Sequence, residues 1–262
     1  MANEVETPRR VPYVESGAGE ALLLLHGGTS DRHQYDLFRP LLGNGIRAIA
    51  YDQRDTRDNP FVGDDYAIRD LAEDCVDFLD TLNIERCHIF GASYGGTIAM
   101  SLAIHYPTRI QSLVLAGTTP SFAMGDPKKV AHVASESDPA AIQRFMLQQA
   151  ITPEAIEQDA ELVNETLSVI RPASPESVAR RMRAASTFDA REDLGKIRAP
   201  TLVMHGDDDP VISIDTAVWM AAKIPGAEFT VLNGSRHGIT IQHRERTANL
   251  VRQFVMKHPL MK

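Results

Sequence analysis

At 262 residues, 43% of them hydrophobic, the chain is long enough to bury one sizeable core, and a single α/β domain with room for an insertion is the expected class. A formal net charge of −8 argues against nucleic acid as the main partner. The two cysteines, Cys75 and Cys87, form neither a CxxC pair nor a metal-ligand set, and read as small buried hydrophobes of a reducing compartment.

The acidic stretch 1–6 has no apolar h-region, so it reads as neither a signal nor a transit peptide. The run 21–25 (ALLLL) is far too short to cross a bilayer. A cytoplasmic protein without a membrane anchor is expected. Short strands are expected near 4–7 and 10–16, followed by buried strands at 21–26, 46–51, 86–91 and 111–116. Two more are expected late in the chain, at 201–206 and 228–233. Each is a short apolar run rather than an alternating one, as expected when both faces of a sheet are covered.

Between them, Ile68, Leu71, Ala72, Cys75, Phe78, Leu79 and Leu82 recur every three to four residues and predict a helix over 66–83, with an N-cap at Asp64 or Asp65. A last helix is predicted over about 243–257. Alternation of strand and helix predicts a mostly parallel sheet with helices on both faces. The strand at 111–116 is not followed by another until Thr201. The stretch between is rich in Ala, Gln, Glu, Arg, Met and Leu, with Pro127, Pro139, Pro153, Pro172 and Pro175 as breaks. The expected organisation is therefore a core of 1–120 and 188–262 with a helical cap inserted over 121–187.

Gly91-Ala92-Ser93-Tyr94-Gly95 carries the chemistry. A strand-like His88-Ile89-Phe90 runs into it, and Ile98, Ala99, Leu102 and Ala103 leave it at helical spacing. A serine at the apex of a strand–turn–helix elbow protrudes towards a base and a substrate carbonyl, and the helix start aims free N–H groups at a developing oxyanion. In so tight a turn the flanking positions call for glycine, which Gly91 and Gly95 supply.

With His26-Gly27-Gly28, Gly206-Asp207-Asp208-Asp209-Pro210 and Gly234-Ser235-Arg236-His237-Gly238, the chain resembles the α/β-hydrolase superfamily nearly from end to end. The resemblance implies a Ser–acid–His triad in that chain order, here Ser93, Asp209 and His237. It selects Asp209 by the family's G-x-x-D pattern, whereas by chemistry alone Asp207 and Asp208 could also orient an imidazole. It further implies an oxyanion hole formed by the N–H groups of Tyr94 and Gly28, with Thr29 as the substitute, and a bracing role for His26. Relatives commonly carry D-x-R-G-x-G-x-S where this chain has Asp52-Gln53-Arg54-Asp55-Thr56-Arg57-Asp58-Asn59. Arg54 or Arg57 there could bind a substrate carboxylate, although an internally salt-bridged loop is the favoured reading.

The expected activity is hydrolysis of a carboxylic ester or lactone of a small, largely apolar substrate, with Phe122, Met124, Phe145, Met146 and Phe188 as candidate pocket residues. Other readings share this triad: a C–C bond hydrolase of ring-cleavage products, an iminopeptidase-like amidase, a cofactor-free perhydrolase, or a small-molecule receptor. No cofactor or metal is implied, because GxGxxG, P-loop and zinc-ligand spacings are missing. A homodimer is the default expectation for assembly.

Overall fold

The structure, a computed structural model, describes residues 11–61, 63–124, 138–171 and 173–260. The strand expected near 4–7 lies outside the described residues. Seven strands form one sheet in the order β1-β3-β2-β4-β5-β6-β7. They are β1 (Tyr13–Ser16), β2 (Gly19–Leu25), β3 (Gly45–Tyr51), β4 (Cys87–Ala92), β5 (Ile110–Ala116), β6 (Thr201–Gly206) and β7 (Glu228–Leu232). Only the β1–β3 pair is antiparallel, in register Tyr13↔Tyr51. The sheet class is the one its buried apolar runs predict, and strand limits fall within a few residues of expectation.

Alternation within the strands sorts their side chains to two faces. Leu23, Leu25, Ile89, Leu113, Leu115 and Val203 point to a face covered by α1 (Ile68–Thr81), α2 (Tyr94–His105) and α7 (Ile214–Lys223). Leu22, Leu24, Phe90, Val114, Leu202 and Met204 point to the other, where α8 (Arg244–Lys257) lays down Ala248, Val251, Phe254 and Val255. Each such aliphatic side chain contributes about 1.5–3 kcal/mol by leaving water. Helix α1 begins later than the Asp64 or Asp65 cap predicts. Its N-cap is Ala67, whose amide donates to Asp70 Oδ2 at 2.8 Å, while Asp65 instead pairs with Arg183.

Between β5 and β6 the described chain is helical: α3 (Pro139–Ala150), α4 (Pro153–Gln158), α5 (Ala160–Val169) and α6 (Pro175–Ser186). Three of these helices begin with proline at the first turn, where a missing N–H costs nothing, and Asp138, Thr152, Asp159 and Ser174 cap their N-termini through side-chain oxygens. Leu147, Ile151, Leu162, Val169 and Ile170 make a separate apolar cluster that reaches the rest of the chain through Ile241. No helix among the described residues is long and apolar enough to cross a membrane.

The β4–α2 junction is packed to backbone contact. A β-carbon on Gly95 would lie 2.5 Å from the Leu25 carbonyl carbon and 2.8 Å from His26 O. One on Gly91 would lie 2.5 Å from Gly95 O. Gly95→Ala is therefore expected to destabilise the fold by about 3 kcal/mol, the upper end of typical overpacking costs. Urea denaturation reads this as a lower midpoint at unchanged m-value, and an unaltered midpoint would contradict the packing described here.

Candidate active site

Ser93 sits between β4 and α2 at φ 53° and ψ −120°, a conformation that non-glycine residues rarely hold without surrounding constraint. The constraint is visible: Ser93 N donates to Ala116 O, while Ser93 O accepts from Gly96 N and from the Thr118 hydroxyl. The backbone is fixed from both sides, leaving the side chain directed at a cavity of about 210 Å³ that Ser93 and His237 both line. Among the described contacts no hydrogen bond joins Ser93 Oγ to the imidazole. Such bonds are often long before substrate is bound.

The histidine loop follows β7. Gly234 turns it at φ 71°, and the loop is then pinned by all three consecutive aspartates after β6. Asp207 Oδ1 accepts from Gly234 N at 2.7 Å and Ser235 N at 3.4 Å. Asp208 pairs with Arg236 at 2.9 Å. Asp209, its carboxyl side chain buried, faces His237 Nδ1 through Oδ2 at 2.7 Å. The alternatives left open by chemistry are separated here by position: two aspartates hold the loop, and the third meets the ring.

Asp209 is itself held in place. Its Oδ1 accepts from Val211 N at 2.8 Å and Ile212 N at 3.1 Å. Burial pushes its pKa up, but the attraction and hydrogen bond of His237 outweigh it and hold the carboxyl below its ordinary range. The same pairing works on His237. Burial disfavours the imidazolium, yet the charge and hydrogen bond of Asp209 prevail and raise the pKa above the ordinary value. His205, within β6, is buried beside this pair. Its Nε2 donates to Ile212 O at 2.9 Å and lies 3.5 Å from Asp209 Oδ2.

The histidine loop also leans on α3. His237 N donates to Gln149 O and Gly238 N to Ala150 O. A β-carbon on Gly238 would lie 2.5 Å from Ala150 O, so a glycine here lets the histidine loop approach α3 closely.

Gly28 and Tyr94 both border the cavity. Tyr94 is the first residue of α2, so its N–H has no partner inside the helix. The Gly27–Gly28 segment is fastened from behind. Gly27 N donates to Gln34 Oε1 at 2.8 Å, and Gly27 O accepts from His26 Nδ1 at 2.9 Å. Since a carbonyl can only accept, His26 carries its proton on Nδ1, and its Nε2 receives Gln53 N–H. Burial and then the charge of Arg181 drive the His26 pKa well down, so the ring is neutral, in keeping with a bracing role.

The cavity wall is completed by Phe122, Phe145 and Met146 from the expected set, with Val169, Ile170 and Met182 added from the chain between β5 and β6. Met124 and Phe188 do not border it; Phe188 packs against the main core. Arg54 is a further correction. Its guanidinium is engaged by Asp74 through Nε at 2.6 Å and Nη2 at 2.5 Å, and lies against the rings of Phe61 and Tyr66, away from the cavity. The internally salt-bridged loop, not carboxylate binding, is what this residue makes.

The sequence pattern of the alpha/beta hydrolase fold family matches residues 20–243. The chain belongs to the α/β-hydrolase family. It is 30% identical over 258 residues to 2-hydroxymuconate semialdehyde hydrolase of Pseudomonas sp. (strain CF600), covering 92% of this chain and 88% of that protein. It is 27% identical over 215 residues to 3-oxoadipate enol-lactonase 1 of Acinetobacter baylyi, covering 82% of this chain and 80% of the relative. Among solved structures, a hydrolase from Pseudomonas aeruginosa PA01 superposes with a TM-score of 0.83 at 27% identity, covering 93% of each chain.

Proposed function

We propose that this protein is a serine hydrolase that cleaves a carboxylic ester or lactone of a small, largely apolar and uncharged substrate. The observation that carries the reading is the buried Asp209–His237 hydrogen bond at a cavity whose wall also holds the strained Ser93 elbow. In this reading His237 Nε2 takes the Ser93 hydroxyl proton as Oγ bonds to the carbonyl carbon, and the carbonyl electron pair moves onto oxygen. The N–H groups of Gly28 and Tyr94 receive that oxyanion. The carbon–oxygen bond to the leaving group then breaks, and the alkoxide takes the proton from His237. Water, deprotonated by the same imidazole, releases the acid and restores Ser93. Asp209 keeps the proton on Nδ1 and stabilises the imidazolium. Residues 121–187 act as a cap that supplies the apolar wall.

An uncharged substrate is favoured because, His237 apart, the described lining carries no ionisable side chain other than the Tyr94 phenol, which burial pushes up to about 12. None of Asp138, Glu154, Glu157, Asp159, Glu161, Glu165 or Glu176 lines the cavity, which leaves the described residues without the acidic amine site that an aminopeptidase would need. A neutral short-chain nitrophenyl ester should therefore be hydrolysed with a kcat/KM at least about tenfold above an ester bearing a terminal carboxylate on its acyl chain, the factor expected from roughly 1.4 kcal/mol of unpaired-charge cost. Equal values would contradict the uncharged-substrate reading.

The second reading, carbon–carbon bond hydrolysis, is supported by the 30%-identical 2-hydroxymuconate semialdehyde hydrolase. The experiment common to both is intact mass spectrometry after a brief fluorophosphonate pulse. One adduct is expected on wild type, with none on Ser93→Ala and much slower labelling of His237→Ala. An adduct that persists in Ser93→Ala would remove Ser93 from the mechanism.

A further inference from the structure

Arg181, on α6, is fully buried, and among the described residues no carboxylate stands within ion-pair distance of it. A buried guanidinium is costly to desolvate, and one balanced only by neutral acceptors needs a reason beyond packing. Two of its three acceptors, Gly27 O and Gln53 Oε1, belong to the support of the glycine loop. Nη2 donates to Gly27 O at 3.3 Å and to Gln53 Oε1 at 2.7 Å, and Nη1 donates to Arg54 O at 3.1 Å. The guanidinium carbon lies 4.6 Å from the centre of the Tyr94 ring. The neighbouring residue Met182 presses on the same loop: a β-carbon on Gly28 would lie 2.6 Å from its Cε.

Gly27 O and Gly28 N belong to one peptide unit, planar and trans, so the carbonyl and the N–H point in opposite directions. Whatever fixes Gly27 O fixes the direction of Gly28 N–H. We propose that Arg181 is a positioning residue for the oxyanion hole, clamping the Gly27–Gly28 peptide from the helical insertion and bracing Tyr94, the residue of the second donor. The proposal rests on the serine-hydrolase reading given above. Gln53 joins the clamp on its other side, because its side-chain amide donates to His26 O at 3.1 Å while accepting from Arg181. A cation on the carbonyl also polarises the amide and strengthens its N–H as a donor. The insertion thereby does more than cover the cavity: it reaches through to one of the two groups that receive charge in the transition state.

The test compares wild type, Arg181→Lys and Arg181→Met on a neutral short-chain ester, with rates normalised to active sites counted by fluorophosphonate. Arg181→Met should lower kcat by about 10–100-fold, less than the about 10²–10³-fold typical of deleting a donor outright, with KM within about twofold. Arg181→Lys keeps the charge without the fork and should fall between. A trifluoromethyl ketone supplies the readout that a merely structural role would not move. Ser93 Oγ adds to its carbonyl carbon, the proton passes to His237, and the electron pair rests on oxygen as a stable oxyanion. Its affinity should weaken in proportion to kcat/KM across the three proteins. A folded Arg181→Met with wild-type kcat, or with kcat lost and ketone affinity retained, overturns the proposal. If Arg181→Met does not fold, Arg181→Lys decides alone, and wild-type kcat and ketone affinity there overturn it. Ser93→Ala run alongside separates the two failures, since full activity in that variant sinks the serine-hydrolase reading itself.

Discussion

Ser93→Ala should lower ester hydrolysis by about 10⁴-fold or more, leaving only the residual catalysis that binding and oxyanion donors supply. On the proposed mechanism the loss is large because every later event depends on the covalent bond to Oγ. Fold stability should change little. The strained backbone at φ 53° is fixed by Ser93 N to Ala116 O and by Thr118 Oγ1 to Ser93 O, and neither involves the side chain removed. Binding of a neutral ester should persist, since the apolar wall of Phe122, Phe145, Met146 and Met182 is untouched. The checks are the steady-state rate and the urea midpoint of the same preparation. A variant that keeps more than about a tenth of wild-type kcat would show that the reaction does not pass through this serine, because removal of the nucleophile in such a site costs orders of magnitude.

Legibility in the sequence followed the range of the interaction. Ser93 was marked locally, because strand, glycines and helix within a dozen residues already define an elbow. The strands were marked by apolar runs, since a sheet covered on both faces needs nothing else to be recognised. Asp209 was distinguished from Asp207 and Asp208 only by resemblance. What separates them physically is a loop 27–28 residues further on, where Gly234, Arg236 and His237 each meet a different carboxylate. Arg54 could not be resolved from its own neighbours, since its partner Asp74 is 20 residues away on α1.

Arg181 left no signal at all. The run Arg180-Arg181-Met182-Arg183 puts three arginines around one helical turn, and only tertiary packing decides which of them is buried. The converse also holds. Near the opposite, N-terminal ends of the strands, Ser112 Oγ lies 2.7 Å from His88 Nδ1, and His88 Nε2 lies 3.3 Å from Glu20 Oε2. These are the residue types of a hydrolytic site, yet Ser112 and His88 are wholly buried in the sheet. Composition of a triad does not make a site; an open cavity and free N–H donors beside the hydroxyl are needed as well.

Asp209→Asn should lower kcat by about 10³–10⁴-fold while leaving the fold assembled. Asn can retain an oxygen at the Oδ1 position, where Val211 N and Ile212 N donate, so its amide nitrogen must then face His237 Nδ1. An NH₂ there is a donor, and it favours the tautomer with the proton on Nε2. That ring cannot accept the Ser93 proton. The pH profile adds a second signature. In wild type Asp209 raises the His237 pKa, and on the proposed mechanism the imidazole acts as base only when neutral, so activity should be lost as pH falls through that raised value. With the charge removed, burial alone acts and the acid limb should move to lower pH. Stability responds to the same pair. The depressed carboxyl contributes stability that is present above its unfolded pKa of about 4 and lost as pH falls through the folded value. The raised imidazole contributes stability that is complete below its unfolded pKa of about 6.5 and lost as pH rises through the folded value. Wild type should therefore exceed Asp209→Asn in urea midpoint most between about pH 4 and pH 6.5, with the gap narrowing on both sides. An acid limb at the same pH in both proteins, or a midpoint gap independent of pH, would mean that Asp209 and His237 are not coupled in solution.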